Sequence, residues 1–553
     1  MTRIGRWIST SFAAVAATAR SRNLRLMQMS FGAAWTAEVA FTVAISVVAF
    51  RDGGAAAVGL VAFLRAAPSA VLAPFGTALA DRFRRDRVLV WVGIVRGAAT
   101  AAAAVVLALD GPIIAIYALA VVATAAFVVV RPVHAALQPL LCSTPLELTN
   151  ANVVRGLVDS LSALIGPAIA AVLLEVSSAA AVIGVAAGLS AWSGIVLLGI
   201  SYEAPARSRS ASPSLGRIIT DTAEGFRAIR HSRDAVAVSG IAVAQVFTRG
   251  CLSVFFVVIA VELLETGEAG VAVLGVALGA GAVIGSLGAS ALVSGRGLAR
   301  IQGGGVALWG VPLVLIAGLP VELAVLVLLG VVGIGNAMVD VGLFTLLPRF
   351  VDEHLLARVF GALESLFAVA LAAGALLTPA VIAAVGIRGA LVILGLVAPV
   401  AVIAVWRHLR SIDASMIRRD VEIELLRRVE MFRPLPMPAI ENLALRSTAV
   451  DVPAGTVVMR EGEPGDSFFV IEAGQAGVFN DETLIEELTA GAGFGEIALL
   501  TNRPRTATVR ARSALRLCRI DRGPFLASVG DYSSCAVEAD RMMARNLSRF
   551  DPS

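Results

Sequence analysis

The residues best placed to do chemistry lie near the end of the chain, in Gly-Phe-Gly-Glu-Ile-Ala-Leu-Leu-Thr-Asn-Arg-Pro-Arg-Thr-Ala-Thr-Val at 493 to 509. A glycine turn leads there into one helical turn, whose first amides have no partner within the helix and form a seat for an anion. Arg505 can grip a phosphate through paired hydrogen bonds, while Glu496 can accept one from a sugar hydroxyl. An anion beside a hydroxyl suggests a nucleotide.

A second set consists of charges inside apolar runs, where a bare charge is expensive. Glu38, Arg65, Arg96, Arg249 and Asp340 stand in such runs, with Asn336 one helical turn from Asp340. Two readings of Glu38 stay open: a carboxylate that takes up and releases a coupling proton, or a permanent ion pair with Arg65 or Arg96. Arg155 and Asp159, four apart, could pair with each other.

The elements that must hold these residues differ in kind. The chain has 553 residues, 58% hydrophobic and 16% charged, with a mean hydropathy of +0.84. The charges crowd into residues 413–553, where they make up about 27% against about 12% before. A lipid-soluble body therefore carries a water-soluble tail. All 45 basic residues are arginine. A net charge of +4 is too small to argue for nucleic acid, and neither the four cysteines nor the four histidines show metal-ligand or disulfide-framework spacing. No metal and no cofactor is expected.

A bilayer core asks for roughly 20 apolar residues per helix. Twelve stretches qualify: 27–50, 55–79, 88–109, 112–136, 153–176, 179–201, 235–261, 269–294, 302–319, 321–347, 359–384 and 387–406. Arginines cluster at the amino terminus (Arg3, Arg6, Arg20, Arg22, Arg25), after the second stretch (Arg82, Arg84, Arg85, Arg87) and after the sixth (Arg207, Arg209, Arg217, Arg227, Arg230, Arg233). Because cytoplasmic loops are the basic ones, both termini are expected in the cytoplasm. The long polar interruption after residue 201 splits the stretches six and six, the layout of secondary transporters built from two similar halves. Gly275, Gly279, Gly281 and Gly285 follow no strand and read as a helix-packing device.

In the tail, Ile417, Val421, Leu425, Leu426 and Val429 mark an amphipathic helix over 417–433. Short glycine-bounded strands follow, at 455–459, 467–474 and 475–479, then a closing helix over 532–550. The expected domain is a small β-barrel or jelly roll with flanking helices.

Gly-Thr-Ala-Leu-Ala-Asp-Arg-Phe-Arg-Arg-Asp-Arg, residues 76–87, resembles the loop signature of the major facilitator superfamily. Thr77 and Arg84 replace its two glycines. Leu-Thr-Asn-Ala-Asn at 148–152 with Gly166-Pro167, Pro132 to Pro139, and Leu-Ala-Arg-Val-Phe-Gly at 356–361 resemble its multidrug and siderophore exporters. The resemblance covers about 25–406. It implies alternating access of two halves around a cavity, efflux rather than uptake, and a latching role for Asp81 beside Arg82. Gly166-Pro167 is expected to bend its helix at a packed contact.

Residues 493–509, with Arg-Glu-Gly-Glu-Pro-Gly-Asp-Ser-Phe-Phe-Val-Ile at 460–471 before them, resemble the phosphate-binding cassette and hairpin of cyclic nucleotide-binding domains. The resemblance implies that Glu496 binds the ribose 2′-hydroxyl and Arg505 the cyclic phosphate. Backbone around Gly495, Ala498, Thr506 and Ala507 completes the cradle. Thr506 suits cAMP or cGMP, with cAMP preferred, and Arg541, Met542 and Arg545 are candidates for a lid over the base.

The sequence thus describes an all-α membrane domain of 12 transmembrane helices in two six-helix halves, followed by a small β domain. The expected order is a cytosolic segment 1–26, halves 27–201 and 235–406 around a central loop 202–234, a helical linker 407–433 and a nucleotide-binding domain 434–553. The expected function is small-molecule transport across a bacterial-type plasma (inner) membrane, regulated by the cyclic nucleotide. The alternatives are a membrane-anchored sensor that transports nothing, and a transporter whose tail is only structural. No nucleophile and base constellation suggests an enzyme.

Overall fold

The computed structural model describes residues 15–142, 144–202, 215–293, 297–351, 355–435, 439–440, 443–444, 446–480, 482–530 and 533–547. Arg3, Arg6, Arg207, Arg209 and Arg296 lie outside these, as do the side chains of Asp81, Arg82, Arg217, Ile417 and Arg545. Two compact units divide the chain, Met1–Ile412 and Asp413–Ser553.

In the first unit, ten helices among the described residues are long and apolar enough to cross a membrane. One of them, Arg22–Pro68, has 47 residues and would measure about 70 Å if straight, over twice a bilayer core. It does not run straight. The Arg65 guanidinium lies 2.8 Å from Glu38 Oε1, whereas 27 residues of straight helix span about 40 Å. The chain folds back at Gly53 and Gly54, and Gly54 (φ +60°, ψ −153°) has a backbone that residues with a side chain rarely adopt. Gly386 (φ +75°, ψ +171°) likewise interrupts the helix Leu356–Gly395.

Small residues let the helices touch backbone to backbone. A methyl group on Gly281 would collide with Gly330 O, one on Gly285 would lie 2.9 Å from Ile334 Cα, and one on Gly275 would lie 2.9 Å from Pro167 Cβ. The four glycines therefore divide between two neighbouring helices, Glu322–Leu346 and Pro145–Val176. The latter stays helical through Pro167, and Gly166 packs on Val39 and Thr36 of the first helix.

Two expectations are corrected here. Asp159 does not pair with Arg155: it accepts from Arg131 at 3.1 Å, and Arg155 lies over the Phe31 ring. Helical spacing allowed the first pairing, but a neighbouring helix offered a better-placed donor. The linker helix over 407–433 is not a separate element either. Val397–Arg428 is one helix, followed by a 3-10 turn at Glu430–Phe432, because neither glycine nor proline occurs between Pro399 and Pro434 to stop it. Leu425, Leu426 and Val429 are buried as their spacing requires, whereas Val421 is exposed.

Among the described residues, the second unit holds eight strands in two antiparallel sheets. The first has the order β1 (Ser447–Val452), β8 (Leu515–Asp521), β3 (Ser467–Ala473), β6 (Gly493–Phe494). The second has the order β2 (Val457–Met459), β7 (Thr508–Ala511), β4 (Ala476–Asn480), β5 (Thr483–Leu488). Strand β3 is buried on both faces. With side chains alternating, Phe469 and Ile471 enter one core with Val478, Val509 and Leu517. Phe468 and Val470 enter another, where the rings of Phe432, Phe468 and Phe525 meet. This second core ties the sheet to the helices Arg522–Gly530 and Ser533–Leu547. Its burial fixes the strand that carries the site below.

Candidate functional site: a phosphate cradle and a buried charge cluster

In the second unit, β6 pairs with β3 through Phe469 and Phe494, which sets Gly495 at the end of a fixed strand. Gly495 turns the chain with φ +95° into the helix Glu496–Thr501, and Asn502 (φ +56°) turns it out again. The chain then returns to Arg505, which is 4% exposed. Its Nη1 donates to Gly495 O at 2.8 Å and its Nη2 to Ser467 O at 2.7 Å. Asp466 Oδ1 lies 3.6 Å from Nη2, and Asp466 Oδ2 lies 3.4 Å from Arg519. Its backbone is laced to the preceding hairpin, with Arg505 N donating to Glu463 O at 2.8 Å and Gly462 N donating to Arg505 O at 2.9 Å.

The guanidinium is therefore aimed by two other segments, the turn at Gly495 and the strand start at Asp466 and Ser467. Burial pulls the Arg505 group below its ordinary pKa, and the carboxylates of Asp466, Glu496 and Glu463 oppose that. Glu496 is 2% exposed. Gly495, Glu496, Ala498, Arg505, Thr506 and Ala507 line one pocket, so the structure brings all six expected residues together. Apolar Met459, Val478 and Ile485 line it too. Sequence reasoning missed these three and the bracing Asp466. Alternation along β2 and β4 was the available signal for the wall.

The lid candidates fare differently. Met542 is 8% exposed and belongs to the helical core. It stands three residues after Ala539 and seven after Cys535, on the helix face that enters that core. Arg541 pairs with Glu538 on the exposed face.

In the first unit, Glu38 accepts from Arg65 at Oε1 (2.8 Å) and from Arg96 at Oε2 (2.7 Å). Arg65 also donates to Thr124 Oγ1 at 2.9 Å, and Arg96 lies 4.3 Å over the Phe127 ring. Both carboxylate oxygens are engaged, which matches the ion-pair reading of Glu38. Arg249 and Asp340 form a separate group. Asn336 Nδ2 donates to Asp340 Oδ2 at 3.0 Å, and Arg249 interacts electrostatically with Asp340, Arg131, Asp159 and Glu364. Sequence reasoning missed Arg131 and Glu364, which a count of every charge inside a span would have found. The helix bearing Asp81 and Arg82 ends at Arg82. Beside it, Arg84 pairs with Asp86 at 3.1 Å and lies over the Tyr202 ring.

Comparison with known proteins divides the chain the same way. Residues 26–321 match the family described as Major Facilitator Superfamily, and residues 449–531 match the Cyclic nucleotide-binding domain. The cAMP-dependent protein kinase regulatory subunit of Emericella nidulans is 31% identical over 120 residues, covering 21% of this chain and 29% of that protein. The subunit of the same description from Blastocladiella emersonii is 36% identical over 109 residues, covering 19% and 27%. The chain thus spans under a third of the length of these relatives. Among solved structures, the regulatory domain of Toxoplasma gondii PKA with cAMP is 29% identical over 20% of this chain and 45% of that one, with a TM-score of 0.20.

Proposed function

The chain belongs to the major facilitator superfamily and carries a cyclic nucleotide-binding domain behind its membrane helices, and from that premise we propose that it is a secondary transporter regulated by cAMP. Twelve spans follow when the two over-long helices are divided at Gly53-Gly54 and at Gly386. Two halves, 27–201 and 235–406, work by alternating access around a cavity, with both termini in the cytoplasm of a bacterial-type plasma membrane and efflux as the direction. Arg505 takes the cyclic phosphate, Glu496 the ribose 2′-hydroxyl, and the backbone around Gly495, Ala498, Thr506 and Ala507 the remaining oxygens. A jelly-roll domain presents them.

The observation that carries this reading is the aim of Arg505. A buried guanidinium held by Gly495 O and Ser467 O already stands at the mouth of the turn, so a phosphate needs little rearrangement to be gripped. The relatives named as cAMP-dependent subunits favour cAMP over cGMP. The reading in which the spans only anchor a sensor is less well supported, since an anchor has no use for Glu38, Arg65 and Arg96 buried together.

Nucleotide shifts transport only if its affinity differs between the two states of the membrane part. The helix Val397–Arg428, within which the boundary at Ile412 and Asp413 falls, is the covalent route for that difference. Inside-out vesicles carrying the full chain test the reading through accumulation of ethidium with and without cAMP. A cAMP effect present in the wild type and absent in Arg505→Ala supports it. Accumulation equal to that of empty vesicles under both conditions speaks against transport of such amphiphiles.

A further inference from the structure

Arg51 and Glu268 stand 217 residues apart, one in each proposed half, and meet side chain to side chain. Arg51 Nε donates to Glu268 Oε1 and Nη2 to Oε2, the parallel fork that guanidinium and carboxylate form when both are aimed. Each partner is placed by its own half. Arg51 sits at the fold-back just before Gly53 and Gly54, and its neighbour Asp52 accepts from Tyr117 OH at 2.8 Å, which ties the turn to the helix Ile113–Val128. Glu268 lies in the first turn of the helix Gly267–Val293.

Around this pair the halves are in van der Waals contact. A methyl group on Gly59 would lie 2.6 Å from Ala375 O, and one on Gly275 would lie 2.9 Å from Pro167 Cβ. Gly59 lies five residues past Gly54 and Pro167 nine before Val176. Both contacts therefore fall within about 14 Å of the helix ends that the pair joins. Away from this pair, Arg131, Arg249, Asp340 and Glu364 stand within the spans themselves. Arg249 of one half interacts electrostatically with Arg131 and Asp159 of the other.

We propose that Arg51 and Glu268 form the latch that closes the non-cytoplasmic side of the transport path and that must part whenever the path opens to that side. The proposal rests on the transporter reading above. An ion pair with side chains 57% and 31% exposed is weak, which suits a contact broken in every cycle. When it parts, Glu268 keeps a favourable place at a helix amino terminus, and Arg51 returns to water. The latch thus has two settled positions.

The test uses the full chain in lipid nanodiscs, with Cys142→Ser and spin labels at Leu109→Cys and Leu319→Cys, exposed ends of one helix in each half on the latch side. The other native cysteines are buried. The expected wild-type distribution is dominated by one short distance. Arg51→Glu, which sets two carboxylates face to face, is expected to raise the longer-distance population about fivefold, Arg51→Gln to raise it less, and the exchange Arg51→Glu/Glu268→Arg to bring it back. An unchanged distribution in Arg51→Glu, or a failure of the exchange to restore it, overturns the latch. Ethidium accumulation in the same preparations separates the two ideas. Distances that respond without any flux sink the transporter reading and leave the latch standing; wild-type flux in Arg51→Glu with unchanged distances sinks the latch alone.

Discussion

Arg96 donates through Nη2 to Glu38 Oε2 at 2.7 Å, with the Arg96 side chain 2% exposed. Arg65 holds the other oxygen. Two guanidiniums thus share one carboxylate, so removing Glu38 takes the ion-pair partner from both buried arginines.

Glu38→Gln is therefore expected to lower the stability of the full chain by about 3–5 kcal/mol, the cost of breaking rather than replacing a buried pair. Thermal unfolding in detergent measures it. Adding Arg96→Met to Glu38→Gln should recover part of the loss, since the second change removes one of the two orphaned charges. A Glu38→Gln protein that is as stable as wild type removes the ion-pair reading and returns the carboxylate to the role of proton carrier.

Gly495→Ala tests the cradle. Its added methyl group would lie 2.6 Å from Arg505 Nη1, in a backbone with φ +95° that alanine resists. We expect cAMP binding to fall by more than tenfold while the domain, destabilised by about 1–2 kcal/mol, stays folded. Calorimetry alongside circular dichroism reads both quantities.

Met542 and Arg541 are neighbours with opposite expectations. Met542→Ala removes a buried side chain from the helical core and should cost about 2–5 kcal/mol. Arg541→Ala, on the exposed face, should change stability by no more than about 0.5 kcal/mol and leave nucleotide affinity unchanged. A large loss of affinity in Arg541→Ala would restore that residue as a lid.

The thiols of Cys518 and Cys535 are each pushed up to about 11 by burial. A raised value means that the folded state keeps a proton which the unfolded chain gives up near 9, so stability is intact below about 9 and declines as pH climbs through about 11. Iodoacetamide modification of both residues, followed by peptide mass spectrometry, should stay slow at pH 8 and rise steeply between pH 9 and 11. Rapid modification of folded protein at pH 8 contradicts this.

The chemistry of the tail was legible because it is local. Residues 493–509 carry glycine, glutamate and arginine at fixed offsets within one turn, one short helix and a return, and the structure gathers them into one pocket. The helical, apolar character of the first unit was legible because apolar length is nearly the whole requirement, whereas the fold-back inside Arg22–Pro68 was not marked by any polar break. What was not legible depends on which helix stands beside which. Nothing in the spacing of Arg155 and Asp159 reveals Arg131 on another helix, and nothing in the last helix alone reveals that Met542 shares a core with Phe432 and Phe525. The long helix Val397–Arg428 was divided in the sequence reading because its composition changes from apolar to charged, but a helix stops for backbone reasons and none is present.

The central claim is that the cradle at Arg505 binds a cyclic nucleotide. Isothermal titration of cAMP into the purified full chain tests it most directly, with Arg505→Ala titrated in parallel. The account predicts a saturable one-site heat in the wild type, lost in Arg505→Ala, with cGMP binding more weakly. No saturable heat from folded wild-type protein, or an identical heat from Arg505→Ala, would contradict it.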